Sequence, residues 1–171
     1  MPMSTVLSWP TAGLVLLAPG GTTPAAAAPL AEQLGLRLLL EPHTSQQDPA
    51  EILAALAGEP PGWLLPLALD PGADLEVPGC WADALGAWRQ PVLLLLPAAA
   101  AAAGPARAYR ALLDQAGVPL VGLVQEGTPW HPEPRRCDGL PWLGWLVAEP
   151  ADPGLPLLVR RRWAGLQRVQ A

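Results

Sequence analysis

The chain has 171 residues, a hydrophobic fraction of 51% and a formal net charge of −5. This length suits one compact domain, so we expect a single α/β domain over residues 1–171. The acidic balance and the arginines, which are scattered except for one C-terminal cluster, argue against a basic face for nucleic acid. No stretch reaches the roughly 18–20 unbroken apolar residues that a membrane span needs.

The N-terminal region and the cysteines indicate the compartment. No basic residue precedes Arg37, so the basic segment of a signal peptide is missing. Cys80 and Cys137 have no disulfide-framework spacing, and the two histidines form no metal pattern with them. We therefore expect a cytoplasmic protein with reduced cysteines. Phe, Lys and Asn are absent, a bias typical of a GC-rich bacterial genome.

Short continuous apolar runs alternate with helical patterns along the chain, as expected when helices cover both faces of a parallel sheet. The runs are GLVLLA (13–18), GLRLLL (35–40), GWLLPLAL (62–69), PVLLLL (91–96), VPLVGLV (118–124) and LPWLGWLV (140–147). They predict a three-layer α/β sandwich with a mostly parallel sheet of about six strands and Rossmann-like topology.

Local signals mark the helix DPAEILAALAG most clearly. Asp48 is a suitable N-cap, Pro49 suits the first helical position, Glu51 completes a capping-box spacing and Gly58 ends the pattern. In PAAAAPLAEQLG, Pro29 predicts either a kink or a helix start as late as Ala28.

Later segments give three further predictions. PARAYRALLDQAGVP is a helix with Arg110 and Asp114 four residues apart. The alanine tract 98–103 is a loop and first turn. Residues 156–170 form a C-terminal helix, which either docks on the sheet through its apolar stripe or presents its arginines to a partner or an anionic surface.

Loops after the strands are where ligands bind in such sheets. The first is PGGTTP, in which Gly20 and Gly21 allow close backbone approach, and Thr22 and Thr23 offer hydroxyls beside a helix N-terminus. The alternative is a plain glycine turn with a threonine cap, since Pro24 removes one amide from any anion site.

The loop after the third strand contains Asp70, a candidate ligand for a divalent metal, although a solvated turn aspartate is the commoner finding. The loop after the fifth strand contains Glu126, Trp130 and the pair Arg135 and Arg136. Its tryptophan is suited to stack on a base or to pack on a partner. The alternative is that it folds back on the body of the protein.

The order and spacing of these loops resemble the dethiobiotin synthetases and, more broadly, the partitioning-type ATPases that share their P-loop fold. LDPGADLEVP is similar to the acidic strand-end motif of the synthetases, and ADALGAWRQPVLLLL to the helix and strand that follow it. AYRALLDQAGVPLVGLVQEGTP resembles their helix, strand and base-contacting loop, and LPWLGWLV their last strand. The resemblance covers about residues 62–147 and implies a P-loop NTPase-like fold.

That resemblance implies an ATP and Mg²⁺ site. It places Thr22 or Thr23 near the magnesium-binding hydroxyl, Asp70 at the family's carboxylate, and Glu126 where the family has an asparagine for adenine. The family's phosphate-binding lysines have no counterpart, because this chain contains no lysine. We therefore expect no cofactor, or ATP and Mg²⁺ only if nucleotide binding survives.

Three functional hypotheses follow from the sequence. The first is a degenerate, non-catalytic P-loop-like domain that acts as a binding or scaffold protein for a protein partner. The family's dimers suggest a homodimer. The second is a divergent dethiobiotin synthetase-like ATP-dependent ligase, in which Arg135 or Arg136 replaces lysine. The third is a small-ligand binding module that uses Trp130 and its polar loop.

Overall fold

A computed structural model describes residues 13–20, 24–40, 48–102, 104–129, 132–146 and 152–168. The strands are β1 (Gly13–Leu17), β2 (Arg37–Leu38), β3 (Trp63–Leu67), β4 (Val92–Pro97), β5 (Leu120–Glu126) and β6 (Trp142–Leu146). The helices are α1 (Pro24–Leu34), α2 (Pro49–Ala57), α3 (Trp81–Ala87), α4 (Ala98–Ala101), α5 (Gly104–Gln115), α6 (Pro132–Cys137) and α7 (Leu155–Arg168).

The six strands form one parallel sheet in the order β2-β3-β1-β4-β5-β6. Each strand lies within or across one of the six predicted apolar runs, so the predicted α/β fold class is confirmed. β1 is central: its Val15 lies opposite Leu65 of β3 on one side and Val92 of β4 on the other. The first strand of the chain thus becomes the middle of the sheet.

Alternate residues of the strands feed two separate cores, as the period of a strand requires. Val15 and Leu17 pack into the core covered by α2, α3, α4 and α5. Leu14 and Leu16 pack into the core covered by α1 and α7. Because both faces are covered, the central strand β1 is apolar throughout, and all five of its residues are buried.

Three of the predicted signals of α2, the aspartate cap, the first-position proline and the terminal glycine, are confirmed. The Asp48 carboxylate accepts a hydrogen bond from the Ala50 amide at 2.8 Å, Pro49 opens the helix and Gly58 closes it. The late start of α1 at Ala28 is wrong, since the helix begins at Pro24 and runs through Pro29. Alanines of high helix propensity surround that proline, and the buried face of α1 offsets the one hydrogen bond that a proline costs.

The C-terminal helix α7 docks on the sheet, which confirms the first of the two alternatives for this helix. Val159 and Trp163 are fully buried in the core shared with α1. Two helices differ from expectation: the alanine tract forms the short helix α4, and part of the polar loop after β5 forms α6.

A glycine permits close contact between α3 and α5, two helices on the same face of the sheet. A Cβ on Gly86 of α3 would lie 1.8 Å from the carbonyl oxygen of Ala116, just after α5. A side chain there would push the two helices apart, so Gly86 fixes how α3 and α5 pack on the sheet.

Candidate functional site

The carboxyl ends of β1, β3, β4 and β5 meet at one edge of the sheet, which we call the carboxyl edge. The helix after β1 packs on one face, whereas the helices after β3 and β4 pack on the other. In sheets of this kind, ligands bind outside the strand at which such a change of face occurs, which here is β1.

The glycine turn after β1 is partly described. The Ala18 amide donates to the carbonyl of Leu67 at 2.9 Å, which holds the turn against the end of β3. Gly20 is exposed, has a φ of 100° and has open space where a Cβ would lie. Such a φ favours glycine. The predicted residues Gly21, Thr22 and Thr23 lie outside the described residues, and α1 begins at Pro24.

Asp70 follows β3 and is held by two hydrogen bonds. Its Oδ1 accepts from the Gly72 amide at 2.9 Å, which forms an Asx turn, and its Oδ2 accepts from the Tyr109 hydroxyl of α5 at 3.2 Å. Burial of the Tyr109 hydroxyl raises its pKa, and the charge and hydrogen bond of Asp70 raise it further. The Tyr109 hydroxyl therefore keeps its proton and donates it in the hydrogen bond to Asp70, which connects the loop after β3 to α5.

The end of β5 carries a polar residue inside the protein. Gln125 is 3% exposed and is the buried polar residue of the described core. Its Nε2 donates to the carbonyl of Thr128 at 2.9 Å, and its Oε1 accepts from Arg135 of α6 at 2.6 Å. Both ends of the amide are thus satisfied, as a buried amide requires.

Arg135 connects four elements at this edge. One terminal nitrogen donates to Gln125 and the other to the carbonyl of Ala101, the last residue of α4. The guanidinium carbon lies 4.5 Å from the ring centroid of Trp142 in β6. The Asp138 carboxylate, 4.0 Å away, also accepts from the Trp142 indole at 2.7 Å. These contacts make Arg135 a structural clamp, and its side chain is 12% exposed.

The remaining predicted residues after β5 divide into two groups. Glu126 is half-buried at the last position of β5, opposite Pro97 of β4 and Leu146 of β6. Arg136 is exposed on α6. Trp130 lies outside the described residues. The structure therefore brings Glu126, Arg135 and Asp70 to one edge, with Asp70 on the far side of β1 and β4.

Sequence reasoning missed the pairing of Gln125 with Arg135. A signal was present, because Gln125 directly follows the apolar run 118–124, and a buried amide must find a partner. The partner lies ten residues later, in a segment whose two prolines predict a loop.

A magnesium–nucleotide complex fits the described residues poorly. Both terminal nitrogens of Arg135 are engaged within the protein and are not directed at a ligand. No group of three His, Cys, Asp or Glu side chains suited to a metal occurs within the described residues. The sequence offers no lysine to grip a polyphosphate.

Comparisons of the chain with protein-family models, with curated proteins and with solved structures found no match. Within the described part of the chain, every helix is too short or too polar to cross a bilayer.

Proposed function

We propose that this chain is a non-catalytic binding or scaffold protein, built on a parallel sheet of the kind that nucleotide enzymes use. One observation supports the proposal above all: two charged side chains of the carboxyl edge, Arg135 and Asp70, make their hydrogen bonds within the protein. The two terminal nitrogens of Arg135 donate hydrogen bonds to Gln125 and Ala101, and the Asp70 carboxylate accepts from Gly72 and Tyr109.

The charge requirement of phosphoryl transfer supports the same conclusion. A polyphosphate needs cationic partners in the ground state and in the transition state. Loss of one hydrogen bond to a charged group costs roughly 1.5–3 kcal/mol, and loss of one electrostatic contact to the transition state costs about 10²–10³ in rate. A chain without lysine, whose best-placed arginine is already bonded, lacks these contacts.

The dethiobiotin synthetase-like ligase is the weaker hypothesis for the same reason. It requires Arg135 or Arg136 to replace the missing lysine. Arg135 is engaged, and Arg136 points from an exposed position on a six-residue helix. A planar guanidinium also differs in shape and hydration from the compact ammonium of lysine.

The test is ATP hydrolysis by the purified full-length chain with Mg²⁺, compared with Asp70→Ala and with Asp74→Ala. Asp74 is an exposed carboxylate of the same loop and serves as the matched control. We expect no turnover above the buffer rate for any of the three. Hydrolysis that Asp70→Ala abolishes and Asp74→Ala retains would overturn the proposal, as would rescue of a strain that lacks dethiobiotin synthetase.

A further inference from the structure

A cleft of about 560 Å³ lies at the opposite edge of the sheet, where the parallel strands begin. It is lined by Pro119 and Leu120 at the start of β5 and by Gly117 just after α5. The turn after α3 and the exposed side of α7 complete it. Its volume falls within the roughly 300–1,000 Å³ of small-molecule sites.

The cleft concentrates positive charge in an acidic protein. Four of the ten cationic side chains line it, namely Arg89, Arg110, Arg161 and Arg162. Asp114 is the acidic residue among the described lining. Four guanidinium groups against one carboxylate leave an excess of three positive charges, although the whole chain carries −5.

Helix ends account for only part of this excess. α3 and α5 end beside the cleft, and α7 runs along it. Each helix C-terminus carries about half a negative charge, so the two termini of α3 and α5 supply about 1. With Asp114 included, an excess of about 2 positive charges still needs a partner.

Three of the arginines are each oriented by a hydrogen bond from one guanidinium nitrogen, which leaves their other N–H groups able to bind a ligand. Arg110 donates to Asp114 through Nε at 2.5 Å, and Arg162 donates to the carbonyl of Val121 through Nε at 3.3 Å. Arg89 donates to the carbonyl of Gly117 through one terminal nitrogen at 2.8 Å. The other guanidinium nitrogens of these three, and all those of Arg161, have no hydrogen-bond partner within the described residues.

The backbone at Arg89 is also unusual. Its φ is 51°, and it is the non-glycine residue with a positive φ in the described part of the chain. A side chain in this left-handed conformation costs free energy, and glycine is the usual residue at such a helix end. The chain therefore keeps an arginine at a position where glycine would be less strained.

We propose that this cleft binds a small oxyanion with two or more negative charges, through the phosphate or carboxylate groups that a guanidinium fork matches. The inference does not depend on the proposed function, because the cleft and the carboxyl edge lie at opposite ends of the strands. The cleft would bind its oxyanion whether or not a nucleotide binds beside β1.

The test uses isothermal titration calorimetry on the full-length chain at constant ionic strength, with pyrophosphate and citrate as probes. Arg161→Glu is the test variant, because Arg161 is exposed and its removal breaks no hydrogen bond within the described residues. Arg107→Glu is the matched control: Arg107 is also exposed on a helix, lies outside the cleft, and its reversal changes the net charge by the same amount.

We expect saturable binding of at least one probe, weakened roughly tenfold or more by Arg161→Glu, as for loss of one hydrogen bond to a charged group. Arg107→Glu should bind as the parent does. Preference for pyrophosphate assigns a phosphate ligand, and preference for citrate a carboxylate ligand.

Two results would overturn the inference: absence of saturable binding of both probes, or equal affinities of the two variants. If Arg161→Glu loses its native circular dichroism spectrum, Arg161→Gln replaces it with the same criteria.

Discussion

Replacement of Arg135 by alanine tests whether its guanidinium holds the carboxyl edge together. The substitution removes hydrogen bonds to Gln125 and Ala101 and a cation 4.5 Å above the Trp142 ring. A hydrogen bond to a charged group contributes about 1.5–3 kcal/mol, and a cation–π contact contributes about 0.5–2 kcal/mol. Because the contacts share one side chain, they are not additive. We expect the free energy of unfolding to fall by about 3 kcal/mol, since buried Gln125 also loses its donor.

The measurement is urea unfolding followed by far-UV circular dichroism, with thermal unfolding as a second readout. A loss of this size lowers Tm by roughly 6–12 °C in a chain of this length. Arg136→Ala is the matched control, because its exposed side chain should change stability little. Equal stability of the two variants would refute the clamp and would return Arg135 to the candidates for anion binding.

Two other predictions concern the packing and the pH response of α5. In Tyr109→Phe we expect a flatter stability profile at high pH. Because burial and, to a lesser extent, Asp70 raise the Tyr109 pKa above its ordinary 10.0, the folded state keeps the proton to higher pH than the unfolded state does. The parent therefore loses stability as pH rises through the folded pKa. Parallel profiles of Tm against pH above 10.0 would contradict this. Gly86→Ala should lower the free energy of unfolding by about 1–3 kcal/mol, because its Cβ meets the Ala116 carbonyl. Gly165→Ala, in open space on α7, should raise it by about 0.5–1 kcal/mol. Equal denaturation midpoints for the two glycine variants would show that α3 and α5 tolerate separation.

The strands and the best-capped helix were predictable because their signals are local. Each strand is an apolar run between Gly, Pro or polar residues, and α2 carries its own cap in Asp48. The strand order was not predictable from those signals. It follows from burial of both faces and from the handedness of each crossover, which depend on the whole chain.

The parts of the candidate site that sequence reasoning missed depend on tertiary contacts. The segment PEPRRC has two prolines and a low intrinsic helix propensity, yet α6 forms, with Arg135 bonded to α4 and β5. The arginine cleft was missed for a related reason. Its four arginines come from three separate parts of the sequence, so the sequence shows only the C-terminal arginine cluster until the packing of α3, α5 and α7 brings Arg89 and Arg110 beside it.

The central place of β1 has a consequence for synthesis of the chain. Its neighbours on the two sides are β3 and β4, so residues 18–62 must leave the ribosome before Gly13–Leu17 can pair with any strand. At roughly 5–20 residues per second, this takes several seconds. For that time a nascent segment without a single charged side chain has no sheet to join, and its apolar side chains are exposed to aggregation.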